Sequence, residues 1–251
     1  MMNPDTSDHL NQINRDFYHI TAGEFDQTRA RPWPGWERLL PYLETPLSAL
    51  DVGCGNGRFG VFLQDHLVGG DDDVSIPALL HYHGLDNNPT LLDRARDTLT
   101  RLPGIAATFD QRDLVEQPPD CGHYDLVACC GLLHHIPGNS NRLDFLRCLA
   151  ERVAPGGYLV FACWRFYEYE RFRDRIVPWD NDLVGQVEPH DYLLDWRRGD
   201  RALRYCHYVD DDEHARLVSA TDMTEIAAYR ADGFTGAVNR YSLLRKGSGG
   251  R

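Results

Sequence analysis

Lysine is nearly missing from this chain: Lys246 is the only one among 26 lysines and arginines, against 38 acidic residues and a formal net charge of −12. Such a balance argues against sequence-independent nucleic-acid binding by the whole surface, and DNA is not an expected partner. No run of eighteen apolar residues occurs, so no membrane-spanning helix is expected. The polar, acidic stretch MMNPDTSDHL lacks the features of a secretory signal, and a cytoplasmic location is expected. Seven cysteines (54, 121, 129, 130, 148, 163 and 206) form no C-x-x-C pair and read as free thiols. The eleven histidines form no H-x-x-x-H pair, and no metal is expected. The G-x-S-x-G elbow of hydrolases and the P-loop are both absent.

What is present is LSALDVGCGNGRFG, residues 47–60. An apolar run ends in Asp51, and Gly53, Gly55 and Gly57 alternate with Cys54 and Asn56 before apolar residues return at Phe59. This reads as a buried strand, a tight turn and the start of a helix. Glycines there let a ligand approach the backbone. A dinucleotide loop has the form G-x-G-x-x-G, with its acid at the end of the next strand. Here the acid directly precedes the glycines, as in motif I of class I S-adenosylmethionine (SAM) methyltransferases, which this stretch resembles. An acid beside the loop suits the cationic end of SAM, which carries no phosphate.

The rest of the chain alternates strand and helix. Strands are expected at 47–52, 79–86, 105–109, 124–130, 158–163, 224–230 and 239–245. Helices are expected at 6–21, 34–43, 57–67, 89–101, 141–153 and 211–220. The expected fold is α/β, a doubly wound Rossmann-like seven-stranded sheet with N-terminal helices. One domain of 251 residues is expected: an N-terminal cap to residue 46, a SAM-binding core over 47–163, an acceptor-side insertion over 164–209, final elements over 210–246, and a disordered tail. An exposed acidic loop is expected at 68–77. Asp86, followed by Asn87, ends the second strand, where a carboxylate suits the ribose hydroxyls. Asp113 and Leu114 follow the third strand, where an acid and an N–H can meet the adenine edge. The fourth strand runs through Cys130 and Gly131 to His134 and His135, either of which is a candidate base. Residues 165–204 hold eight arginines against nine acids, interleaved with aromatics. That mixture suits phosphates and bases, or else a solvated segment with buried aromatics.

A narrower resemblance lies outside the loop. FYHITAGEFDQTRARPWP (17–34), Ala162-Cys163-Trp164, Val177-Pro178-Trp179 and Arg204-Tyr205-Cys206-His207-Tyr208 are similar to the class I methyltransferases that esterify carboxymethyluridine at the tRNA wobble position. The resemblance implies Tyr18 and Arg29 near the SAM carboxylate or the acceptor. It implies Trp33, Trp164 and Tyr205 around the acceptor, with Arg204 and His207 nearby, and a small zinc-binding activator subunit as partner. The chain's acidity departs from the family's basic tRNA face. A small carboxylate or hydroxyl acceptor therefore stays open, as does a SAM-binding scaffold without transfer activity. A carboxylate is ionised at neutral pH and needs no base; an alcohol acceptor would give His134 or His135 more to do.

Overall fold

The computed structural model describes residues 2–27, 31–69, 78–197 and 201–249. Helix α1 spans Pro4–Gln27, and a 3-10 helix follows at Pro34–Tyr42. The core then runs β1 (Leu47–Val52), α2 (Arg58–Leu63) widening into a π turn (Gln64–Val68), β2 (Leu80–Asp86) and α3 (Pro89–Leu99). It continues with β3 (Ile105–Gln111), β4 (Tyr124–Cys130), α4 (Asn139–Glu151) and β5 (Val153–Trp164). The insertion holds α5 (Glu170–Arg173), β6 (Ile176–Val177), β7 (Asp191–Trp196) and β8 (Ala202–His207). The chain closes with α6 (Asp211–Ala220), β9 (Thr224–Ala231) and β10 (Asn239–Arg245).

Seven strands form one sheet in the order β3-β2-β1-β4-β5-β10-β9. The first five run parallel, and β10 is antiparallel to both β5 and β9. The expected doubly wound seven-stranded sheet is present. The β9–β10 connection, residues 232–238, is too short for a parallel crossover, which needs about a dozen residues or more. β1 sends its successors to one side and β4 to the other, so a crevice opens beyond their C-terminal ends.

Apolar layers cover both faces. One gathers Trp36, Phe59, Phe62, Tyr82 and Tyr241. The other gathers Leu50, Val127, Phe145, Leu149 and Phe161. YDLVACC is apolar from Leu126 to Cys129 because its strand is buried on both sides. No helix among the described residues is long and apolar enough to cross a membrane.

Several local expectations shift for identifiable reasons. Helix α1 starts two residues before the expected 6–21: Asn3 accepts from the Asp5 N–H, and the Thr6 hydroxyl bonds Gln186. Pro41 lies inside the second helix, which is 3-10 rather than α. Helix α4 ends at Glu151, and β5 starts at Val153 rather than at 158, running through Pro155-Gly156-Gly157. Beyond the short α5, the insertion forms a three-stranded antiparallel sheet, β6-β7-β8, whose strand β8 packs against α1. The acidic loop from residue 70 to 77 and the last two tail residues lie outside the described residues.

Candidate active site

The glycine loop is tied down by its neighbours. The N–H groups of Gly53 and Cys54 donate to the Leu85 carbonyl at 2.8 and 2.9 Å. The Gly55 N–H donates to Asp86 Oδ2 at 2.8 Å, and the Asn88 N–H to Asp86 Oδ1 at 2.9 Å. Asp86 thereby fixes the loop against the end of β2. Gly57 has φ +76° and abuts α3: a Cβ there would meet the Ala95 Cβ at 2.9 Å. Asp51 is 3% exposed and accepts from the Tyr82 hydroxyl at 2.6 Å. Burial pushes its carboxyl up from 3.8 to about 7.

Above the loop lies a cavity of about 580 Å³. Its floor comes from the strand ends: Asp51, Gly53, Cys54, Gly55, Asn56, Asp86, Asn87, Asp113, Leu114, Cys130 and Gly131. α1 covers one side with Asn11, Asn14, Phe17 and Tyr18. The helix is anchored at both ends of this span. Asn11 Nδ2 and an Arg15 guanidinium nitrogen donate to Asp113, and Asn88 Nδ2 donates to the Tyr18 carbonyl.

His134 and His135 follow β4 in a single 3-10 turn and face the cavity. The Tyr205 carbonyl lies 2.9 Å from His135 Nδ1. A carbonyl only accepts, so Nδ1 carries the proton and Nε2 accepts from the Tyr18 hydroxyl at 3.0 Å. Both ring nitrogens of His135 thus have protein partners. His134, His135 and Cys206 come within metal-ligand reach of one another, but His135 makes these two bonds instead.

The far wall is aromatic and cationic. Arg204, 8% exposed, lies 5.1 Å from the Phe17 ring centre and 4.7 Å from that of Trp164. Among the described residues no carboxylate pairs with it. Trp33 lies against Gly131, where a Cβ would come 3.1 Å from its ring, and stacks with the Arg58 guanidinium at 4.6 Å.

Not every expected residue reaches this wall. Gly57 packs helix on helix. Tyr205 is fully buried, its hydroxyl donating to Asp191 at 2.8 Å, and only its backbone touches His135. His207 is 2% exposed, between Asp191 at 2.7 Å and Glu213 at 2.6 Å. Two carboxylates can only accept, so both its nitrogens donate. Burial alone would lower its pKa, but these partners raise it. Arg29 lies outside the described residues. Residues not anticipated include Asn11, Asn14, Phe17, Trp196, Asp232 and Phe234. Asp232 had no motif to reveal it, yet it accepts from the Gly35 N–H, Asn239 and Tyr241 and so pins the Trp33 segment to β10.

The residues present fit SAM: a glycine cradle, acids for an ammonium and a ribose, and buried amide atoms of Asn14 with no partner among the described residues. A methyltransferase-domain family model matches residues 50–159. The tRNA (carboxymethyluridine(34)-5-O)-methyltransferase of Saccharomyces cerevisiae is 26% identical over 172 residues, 64% of this chain. The chain spans 54% of that protein's length. A SAM-dependent methyltransferase structure from Methanosarcina mazei superposes with TM-score 0.64 at 17% identity, covering 86% of this chain and 98% of that one. The N-methyltransferase NodS of Bradyrhizobium japonicum with S-adenosyl-L-homocysteine (SAH) gives TM-score 0.55 at 18% identity, covering 96% and 98%. Residues 50–159 match a methyltransferase domain, and in sheet order and relatives the chain resembles the class I SAM-dependent methyltransferases, the tRNA carboxymethyluridine methyltransferases among them.

Proposed function

We propose that this methyltransferase acts in the cytoplasm on a carboxylate oxygen, with the carboxymethyl group of a tRNA wobble uridine as acceptor. SAM supplies an electrophilic methyl group on a sulfonium. The acceptor carboxylate attacks in line, the carbon–sulfur bond breaks, and a methyl ester and the neutral thioether SAH result. The observation that carries the reading is Arg204: a nearly buried guanidinium on the cavity wall, stacked between two aromatic rings, with no carboxylate of its own among the described residues. Its fork matches a carboxylate, and an anion would compensate the buried charge. Trp33, Trp164 and Trp196 offer faces for a planar base. His135 already uses both nitrogens, which suits an acceptor needing no base; in this reading it holds Tyr18 rather than moving a proton.

A small carboxylate is the second reading. It is favoured by how many arginines in and near the insertion already have acidic partners: Arg165 and Arg230 with Glu168, and Arg197 with Asp195. One assay separates the two. Arg204→Lys keeps the charge but loses the fork, and should cut kcat/KM for carboxymethyluridine-containing tRNA by about 10- to 100-fold, with SAM affinity unchanged. Full activity in Arg204→Lys removes Arg204 from the acceptor site. Turnover of small carboxylates without tRNA binding, insensitive to salt, would favour the second reading.

A further inference from the structure

Among the described residues, Asn14 is the one cavity-lining side chain with both polar amide atoms buried and unpartnered. It is 4% exposed, and neither Nδ2 nor Oδ1 makes a hydrogen bond. Leaving such a group unsatisfied is costly, so its position calls for a ligand. The helix tells where that ligand edge lies. The Asn11 side chain, one turn before, bonds Asp113 beyond β3, and the Tyr18 backbone carbonyl, one turn after, accepts from Asn88 beyond β2, so this stretch of helix lies over both strand ends. Asn11 and Asn14, spaced i and i+3, share a helix face. Asn14 therefore stands between the ends of β2 and β3, above the span where the nucleoside of SAM lies in this fold.

Asp113 was the expected partner for adenine, but its oxygens are already taken. Asn11, Arg15 and the Val115 N–H donate to them at 2.9–3.2 Å, with the Glu116 N–H at 3.4 Å. A carboxylate offers about four acceptor positions, and these donors fill them. We infer that Asn14 of the N-terminal helix reads the adenine of SAM, Oδ1 accepting from the exocyclic amine and Nδ2 donating to N7. An amide presents one donor and one acceptor in the spacing this edge requires. Here Asp113 holds the helix that carries the reading residue.

The inference rests on SAM being the cofactor, and the test keeps the two apart. SAH and 7-deaza-SAH, in which a C–H replaces adenine N7, are titrated into wild type, Asn14→Ala and Asn14→Leu by calorimetry. Wild type should bind 7-deaza-SAH about tenfold more weakly than SAH. Both variants should bind SAH about tenfold more weakly than wild type and no longer distinguish the two ligands. Asn14→Leu should also raise the melting temperature without ligand by about 2–4 °C, since it removes an unsatisfied buried amide. That gain in stability with a loss of affinity is not what a purely structural asparagine would produce. A tenfold discrimination that persists in Asn14→Ala overturns the inference, as does unchanged SAH affinity in the variants. A wild-type protein that binds neither ligand overturns the cofactor assignment itself.

Discussion

Asp51 is where the chemistry of a single residue is most exposed to measurement. Without ligand its carboxyl is held near 7 by burial, with the Asp86 charge adding to the rise and the Tyr82 hydroxyl opposing it. A folded-state pKa raised above the unfolded one means the fold favours the protonated acid. Stability from this group is therefore full below about pH 4 and declines as pH rises toward 7. Asp51→Asn should be more stable than wild type at pH 8 in the absence of SAM, and its stability should depend less on pH. If the ammonium of SAM sits beside Asp51, binding releases a proton. SAM affinity should then rise from pH 6 to pH 8 in wild type and stay flat in Asp51→Asn. Calorimetry in buffers of different ionisation enthalpy reads the proton directly. An affinity that falls over this range would place the ammonium elsewhere.

At the scale of an element, α1 behaves as a wall of the site more than as a packing helix. Ile20 is 44% exposed while Asn11, Asn14 and Thr21 are buried. Asn11 and Asn14 face the cavity, while the Thr21 hydroxyl turns back to the Phe17 carbonyl. The Tyr18 hydroxyl to His135 is the bond that joins this wall to the strand-four turn. Tyr18→Phe should cost about 1 kcal/mol and make local opening of α1 about fivefold more frequent. Hydrogen exchange of α1 amides should quicken while the core strands stay protected. Equal quickening throughout would mean the bond stabilises the whole fold instead. At the other end of the chain, the single lysine also fastens a helix. Lys246 donates to the carbonyls of Ala150, Glu151 and Val153, closing the C-terminus of α4.

Across the whole molecule, a buried ionic network joins the insertion to the core. Arg142 of α4 bonds Glu213 of α6 at 2.7 Å and Glu188 at 3.1 Å. His207 of β8 links Glu213 to Asp191 of β7. Burial opposes charge on Glu213, but His207 and Arg142 prevail and lower its carboxyl to about 2. Its contribution is present above about pH 4.5 and lost as pH falls toward 2. The contribution of His207, whose folded pKa is raised, is full below 6.5 and lost as pH rises through the folded value. Network and Asp51 together put the stability optimum of the ligand-free protein on the acid side of neutrality. His207→Gln should destabilise by about 3–5 kcal/mol, because it leaves buried Asp191 without its cation and Glu213 with Arg142 alone. Urea unfolding at pH 6 checks this. A loss below about 1 kcal/mol would show that His207 is not charged in the fold.

The alternation of strands and helices, the glycine loop and the acids at 51, 86 and 113 were legible in the sequence because they depend on local pattern: apolar runs, breakers and a carboxylate where a strand stops. The insertion was not, since β6, β7 and β8 carry polar and aromatic residues without clean alternation and are strands only because they pair with one another. Residue types alone could not say that His207 would be enclosed by Asp191 and Glu213 while Arg204, three residues before it, would face the cavity. That division follows from which side of β8 each occupies and from what α1 and α6 bring against those sides. Asn14 shows the same limit. Nothing local separates a surface asparagine from one buried at a cavity without a partner; only the closing of α1 over the ends of β2 and β3 does. The sequence by itself determined that a SAM-type pocket forms at the end of β1. Tertiary structure decided which charges line it, because burial and pairing, not residue identity, determine where a charge must find its counterpart.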